Sequence, residues 1–313
     1  MNATLDRKGL AATAAAFMVW GMVPLYWHLL KVVPSLQIVA HRLVWSALLV
    51  LGWLLLKNGM QWFGEIRAKP HALRNLLLSS LLIAFNWGLY IWAVNAGHVV
   101  ETSLGYFINP LLNVLLGVLV LRERLNGLQW LAVTCAALGV AWLTWQSGSL
   151  PWIALGLASS FALYGLVRKL VPVDAVGGLA VESLYLLAPA LAFLAWAENG
   201  HGGHFVQGWG IGIDLLLVVG GAITALPLIG FAYGVRRIPL TVVGLMQYIA
   251  PTLQLMIGVL ILHEPFGHER IVGFAVIWLG LLIFAGDGLW RARMAAGAPK
   301  AQTAAEQIDK AKV

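Results

Sequence analysis

Charge is scarce in this sequence. Of its 313 residues only 11% are charged and 60% are hydrophobic, whereas a soluble domain carries roughly 25% charged residues. So few charges cannot cover a water-facing surface, and most of the outer surface must meet lipid. Cysteine is nearly absent as well. Cys135 stands alone in an apolar run, which excludes a disulfide framework and a paired-thiol site. HExxH, GxSxG and His/Cys/Asp clusters at metal-ligand spacing are missing, so neither an intramembrane enzyme nor a cofactor is expected. The formal charge of +7 does not gather on one face but is dealt out singly and in pairs between apolar runs. That pattern argues against nucleic acid as a partner. Only Arg7 and Lys8 precede the first apolar run, and no small-residue cleavage pattern follows it. The run is expected to be retained, not removed as a signal peptide.

What the chain has in quantity is long apolar runs and 15 Trp residues, which suit membrane interfaces and aromatic-lined cavities. A spanning helix needs about 20 apolar residues. Ten windows qualify: 9–30, 35–56, 75–94, 100–121, 127–145, 150–167, 175–196, 211–234, 239–262 and 271–289. Gly, Pro, Asn or charge interrupts the chain between them. The expected fold class is an all-α integral membrane protein of about ten transmembrane helices.

The basic residues assign sides by the positive-inside rule. With the N-terminus in the cytoplasm, Arg7, Lys8, Lys57, Arg67, Lys69, Arg74, Arg122, Arg124, Arg168, Lys169, Arg236 and Arg237 fall on the cytoplasmic side with the tail, while Lys31 and Arg270 face out. The predicted location is the inner membrane of a bacterium, multi-pass, with both termini cytoplasmic and segment 197–210 external.

The halves of the chain resemble each other. SLGYFINPLLNVLLGVLVLRE at 103–123 matches VGLMQYIAPTLQLMIGVLILHE at 243–264. An offset of 141 pairs Pro110 with Pro251, Gly117 with Gly258, Glu123 with Glu264, Ala84 with Ala225, Tyr90 with Phe231, Gly139 with Gly280, and His41 with Glu182. Five windows per half is an odd number, so the second half enters from the opposite side. Such inverted repeats characterise secondary transporters, whose sites lie near the midplane between the repeats. The expected organisation is a first repeat at 1–145, a second at 146–290, and a tail at 291–313.

Polar residues recur inside the windows. Ser103, Tyr106, Asn109 and Asn113 share one face of the fourth, and Gly244, Gln247 and Gln254 repeat the stripe in the ninth, beside Tyr248. Asn86, Trp87 and Tyr90 lie in the third and Thr224 in the eighth. Proline lacks an N–H, so Pro110 and Pro251 are expected to break their helices and to free the carbonyls of Tyr106 and Gln247. Two readings stay open for these residues: cavity lining, and hydrogen bonding between helices. Gly117 and Gly258 read as close-packing positions, and Glu123 and Glu264 as interfacial.

Arg42, beside His41 and near Trp45, lies about two turns inside the second window. It is a candidate anchor for a substrate carboxylate or phosphate, since its planar fork matches either. The alternative is an internal ion pair with Glu101. His41, Glu101 and Glu182 are candidate carriers of a coupling proton.

AHRLVWS (40–46), NWGLYIWAVN (86–95), ETSLGYFINPL (101–111), RERLNGLQW (122–130), SFALYGLVRK (160–169), VES (181–183), TALPL (224–228) and GLMQYIAPT (244–252) together make the chain similar to the RarD proteins, an EamA-type group of the drug/metabolite transporter superfamily. The resemblance implies ten helices, two inverted EamA repeats, and a cavity lined by the third, fourth, eighth and ninth spans. It implies export or exchange of a small organic metabolite or drug by alternating access, and a link to chloramphenicol sensitivity. The implied partners are a small-molecule substrate, a coupling proton and the lipid bilayer. A non-transporting structural or regulatory membrane protein is the competing function.

Overall fold

A computed structural model describes residues 6–96, 98–147, 152–261 and 268–297, and all regular structure among them is helical. Twelve helices follow in order: α1 (Arg7–Leu29), α2 (Ser35–Asn58), α3 (Gln61–Arg67), α4 (Ala72–Asn95), α5 (Val99–Leu119), α6 (Gly127–Ser147), α7 (Trp152–Leu170), α8 (Ala175–Glu198), α9 (Ile211–Val235), α10 (Leu240–Met246), α11 (Ile249–Leu260) and α12 (His268–Gly297). Among the described residues nine stretches are long and apolar enough to cross a membrane, one of them running through α10 and α11, and α5 holds a shorter apolar stretch, Gly105–Leu119. These ten match the ten sequence windows one for one. The protein is a multi-pass membrane protein.

Local chemistry sets the helix starts. Asp6 caps α1, accepting from the Lys8 and Gly9 N–H groups at 2.8 and 3.0 Å. Asp174 does the same for α8 through Val176 and Gly177, at 3.0 and 2.9 Å. Asn126 and Gln129 cap α6 reciprocally, each side chain accepting from the other's backbone N–H at 2.8 and 3.1 Å. The large apolar side chains on the outer faces, such as Leu56, Trp145, Leu282 and Trp290, are exposed. A bundle meeting lipid needs no polar exterior.

The helices pair in a regular way. α6 packs on α12, α5 on α7 and α10, α1 on α9 and α11, α2 on α8 and α9, and α4 on α7 and α8. Small residues permit the closest approaches. A Cβ on Gly139 of α6 would lie 2.6 Å from Ile277 Cγ1, and one on Gly280 of α12 would lie 2.6 Å from the Ala132 carbonyl of α6. The contact is therefore reciprocal.

Three features differ from the sequence reading. The connection at 57–74 contains α3, whose Trp62 and Ile66 are buried against the bundle. Pro110 does not break its helix, since α5 runs through it from Val99 to Leu119. One missing hydrogen bond can be absorbed where neighbouring helices hold both sides of the proline. The ninth span does break, but at Gln247 and Tyr248, upstream of Pro251. There the Gln247 carbonyl is not left free. The Ala250 N–H reaches it at 3.3 Å in a tightened turn.

Candidate functional site

One end of the bundle gathers the charged residues. Asp6 at the start of α1 lies 3.7 Å from Arg237 after α9. Lys69, Asp174, Arg236 and Arg237 line a hollow of about 620 Å³. Arg236 donates to the Val173 carbonyl. Burial, with Arg168 nearby, pushes its guanidinium below its ordinary value, and Asp174 opposes the shift. At the same end Glu123 caps α10, accepting from the Leu240 and Thr241 N–H groups at 2.7 and 2.9 Å. Lys169 stands 3.9 Å from that carboxylate and donates to the Val235 and Ile238 carbonyls at 2.9 and 2.7 Å. Of the basic residues assigned to one side, Lys69, Lys169, Arg236 and Arg237 come together at this end. Glu264, the sequence counterpart of Glu123, lies outside the described residues.

Arg168 is not a loop charge. It is 2% exposed, and its Nη1 lies 3.5 Å from Glu182 Oε1. Glu182 also accepts from Ser79 and, at 3.3 Å, from the Tyr164 hydroxyl. Its carboxylate is enclosed and balanced. His41, its sequence counterpart, sits near the opposite end. Its ring lies 4.7 Å from that of Phe205 in the α8–α9 connection, and its Nε2 is buried without a hydrogen-bond partner. Trp45 packs on the same Phe205 at 6.0 Å, with its Nε1 also unpartnered. Nearby, Gln37 donates to the Gly202 carbonyl at 2.9 Å, pinning that connection to α2.

Arg42 lies between these ends, about 10 Å along α2 from its start. Its Nε donates to Thr224 Oγ1 on α9 at 2.9 Å, while the Thr224 hydroxyl donates to the Gly220 carbonyl at 2.8 Å. The guanidinium carbon sits over the rings of Trp27 on α1, at 4.8 Å, and Trp87 on α4, at 5.1 Å. Each ring face offers a cation–π attraction of ~2 kcal/mol where water is excluded. Tyr90 and Tyr106 are close enough to interact with it electrostatically, and their rings lie 6.2 Å apart. Five helices, α1, α2, α4, α5 and α9, thus supply one cluster. No carboxylate among the described residues pairs with Arg42. The Glu101 side chain, its expected partner, lies outside the described residues.

The other stripe residues are held in contacts between helices. Asn113 donates to Asn109 at 3.1 Å and to Gln247 at 2.7 Å, tying α5 to the α10–α11 junction. Asn86 donates to the Leu157 carbonyl and to Ser160 on α7 at 2.8 and 2.9 Å. The Tyr248 hydroxyl donates to the Phe107 carbonyl at 3.1 Å, and Gln254 to the Trp20 carbonyl at 3.1 Å. Sequence reasoning missed Trp27, Arg168, Ser79 and Tyr164. The first had a faint signal in the polar-aromatic cluster Tyr26–Trp27–His28 at a span end, and the others had none.

Comparison with known proteins agrees with this architecture. Residues 7–145 match the model of the EamA-like transporter family. Over 285 residues the chain is 45% identical to an uncharacterized transporter of Pseudomonas aeruginosa, covering 91% of this chain and 95% of that one. It is 43% identical over 299 residues to protein RarD of Streptomyces exfoliatus, covering 94% and 95%. A solved crystal structure with 18% identity superposes with a TM-score of 0.66 over 90% of this chain and 98% of its own, a likeness of fold. The chain belongs to the EamA-like transporter family, as one of its RarD proteins.

Proposed function

We propose that this protein is a secondary transporter that exports or exchanges a small organic metabolite or drug by alternating access. It works in the inner membrane of a bacterium with both termini in the cytoplasm. Its moving parts are two inverted five-helix repeats, residues 1–145 and 146–290. The main helix pairings support this division, because each has a counterpart when the halves are exchanged. α1 with α9 becomes α7 with α4, and α1 with α11 becomes α7 with α5. α2 with α9 becomes α8 with α4, and the pairs α2–α8, α5–α10 and α6–α12 map onto themselves. A scaffold of two like halves can close one end while opening the other.

The observation that carries the reading is Arg42. A charge at membrane depth is costly and marks a pathway or site by default. This one has no carboxylate partner among the described residues and lies where helices of both halves meet. Tyr90 and Tyr106 beside it remain 37% and 40% exposed, which suits rings that line a cavity. The relative from Pseudomonas aeruginosa is itself described as a transporter, which points the same way.

Liposomes carrying the pure protein test the proposal. Counterflow of at least one compound from a panel of amino acids, nucleosides, sugars, organic acids and amphenicols is the expected result. Absence of flux across the whole panel, in protein that keeps its fold, would overturn it.

A further inference from the structure

Resting on the transporter reading, the geometry points to the chemical class of the cargo: a small organic monoanion whose carboxylate docks on the free edge of Arg42. The guanidinium has five N–H donors. One, on Nε, is committed to Thr224. Among the described residues the terminal Nη1 and Nη2 groups have no hydrogen-bond partner. Arg42 is only partly buried, although it stands about 10 Å along α2. An arginine in this state presents a planar fork into accessible space, and the matching ligand is a planar group with two acceptor oxygens.

Charge selects among the ligands that fit the fork. Arg42 brings one positive charge, and among the described residues the ionisable groups that interact with it are the phenols of Tyr90 and Tyr106. The guanidinium of Arg168, by contrast, is already balanced by Glu182. A monocarboxylate would be neutralised on docking. A phosphate monoester, near two negative charges, would keep one of them uncompensated in a weakly solvated site. The walls select further. The indoles of Trp27 and Trp87 lie beside the cation, and the phenol rings of Tyr90 and Tyr106 continue the lining. Such walls suit a flat or apolar body attached to the carboxylate and reject a heavily hydrated one.

Four probes of one shape test the class: phenylacetate, its methyl ester, phenylethylamine and phenyl phosphate. Binding to the full-length protein in detergent is read by tryptophan fluorescence, since Trp27 and Trp87 flank the cation, and by thermal shift. Phenylacetate is expected to bind, and the ester and amine to bind roughly 10-fold to 100-fold more weakly, as loss of a charge-assisted hydrogen bond requires. Phenyl phosphate is expected to bind more weakly than phenylacetate. Arg42→Lys keeps the charge but loses the fork, and is expected to lose most of the affinity for phenylacetate. The wild-type ligand series needs no variant to fold. Equal binding of acid and ester, tighter binding of phenyl phosphate, wild-type affinity in Arg42→Lys, or binding of none of the four would overturn the carboxylate assignment. Counterflow of a neutral compound alongside any of these results would leave the transporter reading standing.

Discussion

Arg168 Nη1 and Glu182 Oε1 lie 3.5 Å apart with both side chains almost fully buried. The pair joins α7 to α8, and Ser79 brings α4 into the same cluster through its hydrogen bond to Glu182. Removing one partner of such a pair leaves an uncompensated charge and costs about 3–5 kcal/mol. Arg168→Met and Glu182→Leu should each lower thermal stability in detergent sharply. The double replacement should cost much less than the sum of the two. Additive losses would mean that the charges do not stabilise each other.

Glu123 ties the α5–α6 connection to the start of α10 through two backbone N–H groups. The close approach depends on Gly117, where a Cβ would fall 2.7 Å from Glu123 Oε2 and 2.8 Å from Thr241 Cγ2. A helix cap of this kind contributes ~1 kcal/mol, and the carboxylate adds favourable interaction with the helix dipole. Glu123→Ala should lower stability by about 1–2 kcal/mol and raise the reactivity of a cysteine placed at Thr241. Glu123→Gln keeps an acceptor oxygen and should fall between Ala and wild type. Unchanged cysteine reactivity in Glu123→Ala would show that the cap does not shield Thr241.

The path of the chain was largely legible in the sequence, because span length and apolar runs follow directly from bilayer thickness. All ten windows correspond to apolar helical stretches. The site was legible only in part. Arg42 stood out because charge is rare inside a window, and Trp87, Tyr90, Tyr106 and Thr224 do surround it. Asn86, Asn113, Gln247, Tyr248 and Gln254 have the same polar character but are spent on neighbouring helices. Periodicity gives the face of a helix and not what that face meets. Arg168 illustrates the same limit. Its place between an apolar run and Lys169 reads as a loop charge, and only the packing of α8 turns it inward. α3 escaped because seven residues are too few for a pattern to emerge above the surrounding polar sequence.

The α6–α12 contact offers a test by volume. Gly139→Ala would drive a methyl group to 2.6 Å from Ile277 Cγ1 and 2.7 Å from the Gly273 carbonyl. Overpacking of this kind costs roughly 1–3 kcal/mol. Gly52→Ala is the control, since nothing lies within 4 Å of the added atom. Gly139→Ala should melt several degrees below wild type and Gly52→Ala at or slightly above it, the better helix propensity of alanine being worth up to about 1 kcal/mol. Equal melting of the two would sink the assignment of α6 and α12 as tightly packed partners.

The two prolines at the shared offset should behave differently. α5 is continuous through Pro110, whereas α10 and α11 part at Gln247 and Tyr248. Pro251→Ala supplies an N–H that can reach the Gln247 carbonyl at regular helical spacing, in competition with the Ala250 N–H that now occupies it at 3.3 Å. The variant should let α10 and α11 fuse, with amide exchange at Tyr248 to Pro251→Ala slowed. The junction also carries the Gln247 side chain that meets Asn113 at 2.7 Å. Straightening it should pull that contact apart and reduce flux more than it changes stability. Pro110→Ala adds one backbone hydrogen bond to a helix that is already formed, so its flux should stay closer to wild type than that of Pro251→Ala. A larger loss of flux in Pro110→Ala, or unchanged exchange around Tyr248 in Pro251→Ala, would show that Pro251 does not hold the break open.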